Sequence, residues 1–453
     1  MIRQKKFKLL DSVLMAVIVI LVVESAAPAA AIGASQFFWW IVLFIFFFVP
    51  YGLVSAELGS TYEGEGGIFD WVHRAFGYKM STRVGWYYWI NFPLWMASLA
   101  VLFSTTIVDV WLPDLPIPVL ILFEIGFLFI ITVLGNMRVS ESKWILNGCA
   151  LLKAFIMVSL GVLGIYGAVT HGVANEYSVR TMLPNLDITS ISFLSVIIFN
   201  FLGFEVVTTV VDDMPNPKKQ IPWAIILGGL LIILFYSLAA LGIGIAIPTE
   251  ELSLDSGLLE SFTLLLGDGA QGFYYLMAVF FLLTLFGNLI SWSPGINFTA
   301  AYAASHNSLP KFFAKKDKNG MPVGAAIINF AVAGVLCIIS HFLPNEDIFW
   351  NFFALNMITL LASYVLIFPA FLRLRKTDAG VVRPFRAPGG KTLTVLMAIV
   401  PMVLLILGVI FSAVPLSLDS EELAYKLPIL AGTVVALVIG EILVVYGSKK
   451  HKL

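Results

Sequence analysis

Apolar runs of about twenty residues recur along almost the whole chain with short polar connections between them, and this pattern leaves few folds open. A hydrocarbon bilayer about 30 Å thick is crossed by roughly 20 residues of α-helix. Within it every backbone polar group has to be satisfied inside the segment, so runs of this kind cross as helices. They fall near residues 11–34, 37–58, 84–109, 117–135, 145–169, 188–211, 222–247, 271–303, 323–343, 347–372, 392–415 and 427–447. Composition agrees: 59% of residues are hydrophobic and 12% charged, against about 25% charged in an average soluble domain. The 453 residues are therefore expected to form an all-α polytopic membrane protein of about twelve transmembrane helices. The first run carries a glutamate and leads straight into the second, unlike a cleavable leader.

The connections set the expected orientation, because Lys and Arg collect on the cytoplasmic side. All of the 27 basic residues except Lys153, Arg180 and Lys426 lie in the two tails or in alternate connections. Examples are Lys5 and Lys6, Arg74 and Lys79, Lys218 and Lys219, Lys315 and Lys316, and Arg373 to Lys391. Arg180 and Lys426 are assigned to opposite loops, and the opposite connection around Glu250, Glu251, Asp255, Glu260 and Asp268 is acidic. Both tails, 1–10 and 449–453, are thus expected in the cytoplasm, with an even number of spans between them. The net charge of −1 and scattered basic residues exclude a nucleic-acid-binding stripe. Cys149 and Cys337 sit inside apolar runs, where a thiol behaves as a small hydrophobe.

Two spans are interrupted. Glu24-Ser25-Ala26-Ala27-Pro28 places a carboxylate, small residues and a proline in the first, and Gly203-Phe204-Glu205 lies midway along the sixth. A proline removes a helix hydrogen bond, and broken backbone at membrane depth is tolerated only where protein or a cavity covers it. Interruptions in equivalent helices of an inverted repeat mark a transport site. Residues 11–170 and 186–376 would form two five-helix repeats, with 391–448 adding helices eleven and twelve. Glu24 and Glu205 would then face each other near the midplane. An acid at mid-helix costs on the order of 2.5–3.5 kcal/mol on insertion scales. The bland alternative is that each acid merely pairs with a neighbouring lysine or helix end. Phe201 and Phe204 flank the second break, Trp292 lies in helix eight, and Tyr88, Trp89 and Trp95 lie in helix three. Aromatic faces hold organic cations at about 0.5–2 kcal/mol each, although helix packing and interfacial belts also take such residues.

Three stretches resemble the amino acid–polyamine–organocation transporters. They are Ala56-Glu57-Leu58 with Glu65-Gly66-Gly67-Ile68-Phe69-Asp70-Trp71 and Phe76-Gly77; Phe201-Leu202-Gly203-Phe204-Glu205 with Asn216-Pro217-Lys218-Lys219-Gln220-Ile221-Pro222; and Ala303 with Ser308-Leu309-Pro310 and Phe312. The resemblance implies a LeuT-like fold, a 5+5 inverted repeat plus two helices, with helices one and six broken, working by alternating access. It implies that Phe199, Phe201 and Trp292 lie by the substrate. It also implies that Lys153 in helix five occupies the place where sodium-coupled members bind a cation; pairing of Lys153 with Glu124 or another acid is the competing reading.

One departure from the family pattern bears on substrate. Amino-acid carriers of this kind have a glycine-rich first break whose amides receive the substrate carboxylate; here Glu24 and Ser25 stand there. A carboxylate beside Glu24 meets like charge, whereas an amine is attracted. The expected partners are small cationic amines and the lipid bilayer, with no nucleic acid, cofactor or metal. By resemblance the specific expectation is agmatine inward and putrescine outward across the cell membrane. The alternative is a proton-coupled amino acid symporter or an amino acid/amine antiporter, with Glu205 or Lys153 as proton site. Glu124 and Glu441 are read as structural acids. The five histidines fall in or beside loops without metal-ligand spacing or a nucleophilic triad, and no stretch reads as a channel filter.

Overall fold

The computed structural model describes residues 8–62, 64–137, 139–184, 188–205, 214–343 and 347–450, and among them every regular element is helical. The chain enters on two short helices, α1 (Leu9–Ile20) and α2 (Ala26–Ala30). It continues through α3 (Gln36–Thr61), α4 (Gly67–Phe76), α5 (Tyr78–Val110), α6 (Ile117–Gly135) and α7 (Val139–Thr170). Next come α8 (Ile188–Phe199), α9 (Pro217–Ala246), α10 (Gly257–Leu266), α11 (Gln271–Ser305) and α12 (Val323–Ser340). The chain finishes with α13 (Ile348–Thr377), α14 (Lys391–Ala413) and α15 (Ser420–Lys450). Among the described residues, 10 helices are long and apolar enough to cross a membrane. The first expected span is the interrupted pair α1 and α2, and the sixth begins as α8; its expected continuation over 206–211 lies outside the described residues.

Several helices outrun the apolar windows that announce them. α5 begins at Tyr78 and α15 at Ser420, because a helix projecting beyond the bilayer can carry polar residues at its ends. This corrects the placement of Lys426. It lies within α15, buried, and its Nζ donates to the carbonyls of Phe411 and Ser412 and to Ser192 Oγ. A cation there meets the unpaired carbonyls and negative dipole end of α14.

Packing follows membrane rules. On α7, Leu151, Phe155, Val158, Val162, Ile165 and Val169 recur at helical spacing and are exposed, while Lys153, Ile156, Met157 and Leu160 are buried. The outer stripe faces lipid and the inner one faces the bundle. Helices α7 and α9 cross so closely that a Cβ on Gly242 would stand 2.3 Å from the Leu160 carbonyl oxygen, and one on Gly164 2.6 Å from Gly242 Cα. Small residues at the crossing provide the backbone approach that replaces a hydrophobic driving force in lipid.

Candidate functional site

The first break is built by residues that satisfy its loose backbone. α1 ends at Ile20, a tight turn covers Val23–Ser25, and α2 resumes at Ala26. Tyr236 of α9 accepts from Val22 N at 2.9 Å and donates to Val22 O at 3.0 Å. Ser25 Oγ lies 2.8 Å from both the Val22 carbonyl and Asn200 Oδ1, and 3.1 Å from the Tyr236 hydroxyl. The two breaks are thereby tied to each other. Glu24 projects from the turn, 3% exposed. Its Oε1 accepts from the Trp95 indole N–H at 3.2 Å and its Oε2 from Asn288 Nδ2 at 2.5 Å. Buried Lys153 acts on the same carboxylate as a neighbouring positive charge. Around Trp95, the Trp292 ring stands 5.9 Å away and the Phe199 ring 6.4 Å away, both edge-on.

The second break turns on Gly203. After α8 the amides of Phe201 and Leu202 reach back only three residues, to Ile198 and Phe199, and Gly203 adopts φ +106°. A Cβ there would stand 2.9 Å from Trp292, so both conformation and space demand glycine. The Gly203 amide donates to the Tyr51 hydroxyl at 3.1 Å. Tyr51 donates onward to Glu205, and Tyr364 donates to the other Glu205 oxygen at 2.5 Å. Tyr88 completes the group, its ring edge-on to that of Tyr364 with centroids 6.2 Å apart. A π-helical turn at Phe44–Phe48 precedes Tyr51 in α3, and such turns commonly shift a helix's register at functional sites.

The amino acid permease family matches residues 7–439 of the chain. The chain belongs to this family. A probable agmatine/putrescine antiporter, AguD, of Lactococcus lactis is 48% identical over 397 residues, 87% of this chain and 85% of the relative. A glutamate/gamma-aminobutyrate antiporter of the same species is 25% identical, covering 81% and 76%. A probable polyamine transporter of Arabidopsis thaliana is 24% identical, covering 82% and 74%. This permease is therefore a multi-pass membrane transporter and not an enzyme.

Within the permease the expected site residues divide. Glu24, Trp95, Trp292, Lys153 and Phe199 come together at the first break. Tyr88 and Glu205 form the second cluster. Seven residues separate Tyr88 from Trp95, about two turns, so one face of α5 serves both clusters. The two acids take their hydrogen bonds from different residues, Glu24 from Trp95 and Asn288 and Glu205 from Tyr51 and Tyr364. Ser25 is engaged in knitting the breaks together. Phe201 stacks on Phe48 at 4.9 Å and meets Trp40 at 5.2 Å, while Phe204 meets Phe48 edge-on. Both rings thus pack against the aromatic side chains of α3. Trp89 donates to Asn329 at 2.6 Å, a packing role.

The other acids within the helices have partners of their own. Glu124 accepts from Ser104 at 2.8 Å and lies 3.0 Å from His341. Glu441 takes a two-pronged contact from Arg83. At the end of α3 that leads into the basic connections, buried Glu57 receives Arg375, Arg383 and the Ala387 amide. Beside it Tyr62 donates to Asp378 at 2.8 Å, and burial followed by that carboxylate pushes its phenol up to about 12, leaving it a hydrogen-bond donor at working pH. Sequence reasoning passed over Tyr51, Asn200, Tyr236, Asn288 and Tyr364. A polar side chain isolated in an apolar run was the available signal, and it is a weak one.

Proposed function

We propose that this permease exchanges cationic amines, agmatine inward against putrescine outward, across the cell membrane with both termini in the cytoplasm. The observation that carries the reading is Glu24: a buried carboxylate at the first break, flanked by the indoles of Trp95 and Trp292. Glu24 and Glu205 outnumber Lys153, so the formal charge of the region is negative and selects cations over carboxylates. The printed name of the 48% identical relative supports the same substrate pair.

The division into repeats 11–170 and 186–376, followed by 391–448, gives the breaks equivalent positions, and the Ser25–Asn200 hydrogen bond suits halves that rock against each other around a central site. One cationic head lies by Glu24, between Trp95 and Trp292, and the other extends toward Glu205. Tyr51 and Tyr364 lie in the parts of α3 and α13 that lead toward the basic connections, so the Glu205 cluster closes the cytoplasmic side of the site. The ammonium of Lys153 takes the place of a coupling ion. Agmatine and putrescine are both dications near neutral pH, so one-for-one exchange is electroneutral.

The test is competition for putrescine uptake in proteoliposomes. Agmatine competes strongly, whereas arginine, which differs from it by one carboxylate, competes at least about tenfold less well, the loss expected from one unfavourable charge contact in a buried site. Equal competition by the two would refute the role given to Glu24.

A further inference from the structure

Asn288 holds an unused acceptor at the Glu24 carboxylate. A carboxylate only accepts hydrogen bonds, so the amide must turn its N–H2 to Glu24 Oε2, and this leaves Oδ1 on the other side. Asn288 is 1% exposed, and Oδ1 has no hydrogen-bond partner among the described residues. A buried amide oxygen left unpaired costs about 1–3 kcal/mol, so such an atom beside a buried acid points to a ligand with N–H groups. Trp292 follows Asn288 by four residues on α11, one turn along the same face, and its ring adjoins Trp95. Asn200, across the break, likewise keeps one amide atom unpaired, Nδ2, with Oδ1 accepting from Ser25. An unpaired amide atom thus stands on each side of the first break.

We propose that Asn288 Oδ1 and the Glu24 carboxylate form a two-acceptor seat for a primary ammonium, and that Asn288 sets the preference for primary over N-alkylated amine heads. A primary ammonium has three N–H donors and can serve both acceptors. A fully N-methylated head has one donor, satisfies Glu24 alone and leaves Oδ1 unpaired. The inference rests on the amine reading above and adds a residue and a chemical selectivity to it.

The experiment measures inhibition of labelled putrescine exchange by unlabelled putrescine and by N,N,N′,N′-tetramethylputrescine, in the wild type, Asn288→Leu and Asn288→Asp. In the wild type the permethylated diamine binds about tenfold or more weakly, the scale of a lost charge-assisted hydrogen bond. In Asn288→Leu, putrescine weakens by a similar factor while the permethylated compound changes little, so the ratio collapses to about threefold or less. Asn288→Asp keeps acceptor oxygens and keeps the ratio, which separates an acceptor role from mere support of Glu24. A wild type that takes both diamines equally overturns the inference. So does an Asn288→Leu variant that weakens both by the same factor. If Asn288→Leu does not reach the membrane, the Asp variant decides, and a collapsed ratio there overturns the inference. Absence of any putrescine exchange by the wild type overturns the amine reading itself, and this inference with it.

Discussion

Glu24 takes hydrogen bonds from an indole and an amide and lies under the field of a buried lysine, an expensive arrangement for an anchoring helix. Removing its charge while keeping its shape isolates its effect on substrate. Glu24→Gln should weaken putrescine by about tenfold to a hundredfold, the range for a hydrogen bond to a charged group, while a monoamine, whose one head can move to the Glu205 side in the variant, loses less. Inhibition constants for putrescine and butylamine in the variant check this, and an equal loss for both would assign Glu24 a structural role. The Glu57 cluster calls for a different assay. Two arginines and an amide converge on one buried carboxylate, and Glu57→Ala leaves those arginines unpaired. Breaking a buried pair costs about 3–5 kcal/mol, so the detergent-solubilised variant should melt well below the wild type with substrate selectivity retained in whatever remains folded. An unchanged melting temperature would contradict the buried network.

Between α8 and the residues beyond Glu205, one glycine sets the geometry of the second break. Gly203→Ala places a methyl against Trp292 at φ +106°, and strain of this kind costs about 1–3 kcal/mol. Exchange should fall by at least about tenfold while the protein still inserts, and Trp292→Leu in the same chain should recover part of the loss by opening space. Failure of that second change to recover any activity would shift the explanation from the Trp292 contact to backbone conformation alone. Both breaks were legible in the sequence because Pro28 and Gly203 are strong punctuation within apolar runs. The side on which each aromatic ring lies was not legible. Phe201 and Phe204 flank the break in sequence, and both rings pack against α3, a choice set by tertiary packing. Tyr236 and Asn288 were missed for a related reason: a single tyrosine or asparagine in an apolar helix gives no sign of which neighbouring backbone or carboxylate it meets.

Across the whole chain, the long apolar helices were readable because the bilayer imposes one length and the backbone one conformation, and 10 of them stand among the described residues. Helix ends were read short wherever polar residues continue a helix past the lipid, as at Tyr78 and Ser420. On the proposal that Lys153 substitutes for a coupling cation, exchange should proceed unchanged when sodium is replaced by potassium or choline, and a strict sodium requirement would remove that role. Exchange of cationic amines by this permease is expected to be obligatory. Without a cation, the region holding Glu24 and Glu205 carries formal negative charge that has to pass through a closed, water-poor state. Each 1.4 kcal/mol of that penalty slows reorientation about tenfold. The most direct measurement is uptake of labelled agmatine into proteoliposomes preloaded with putrescine, set against uptake into empty ones. Uptake into loaded vesicles should be at least about tenfold faster, and equal initial rates in the two would contradict obligatory exchange.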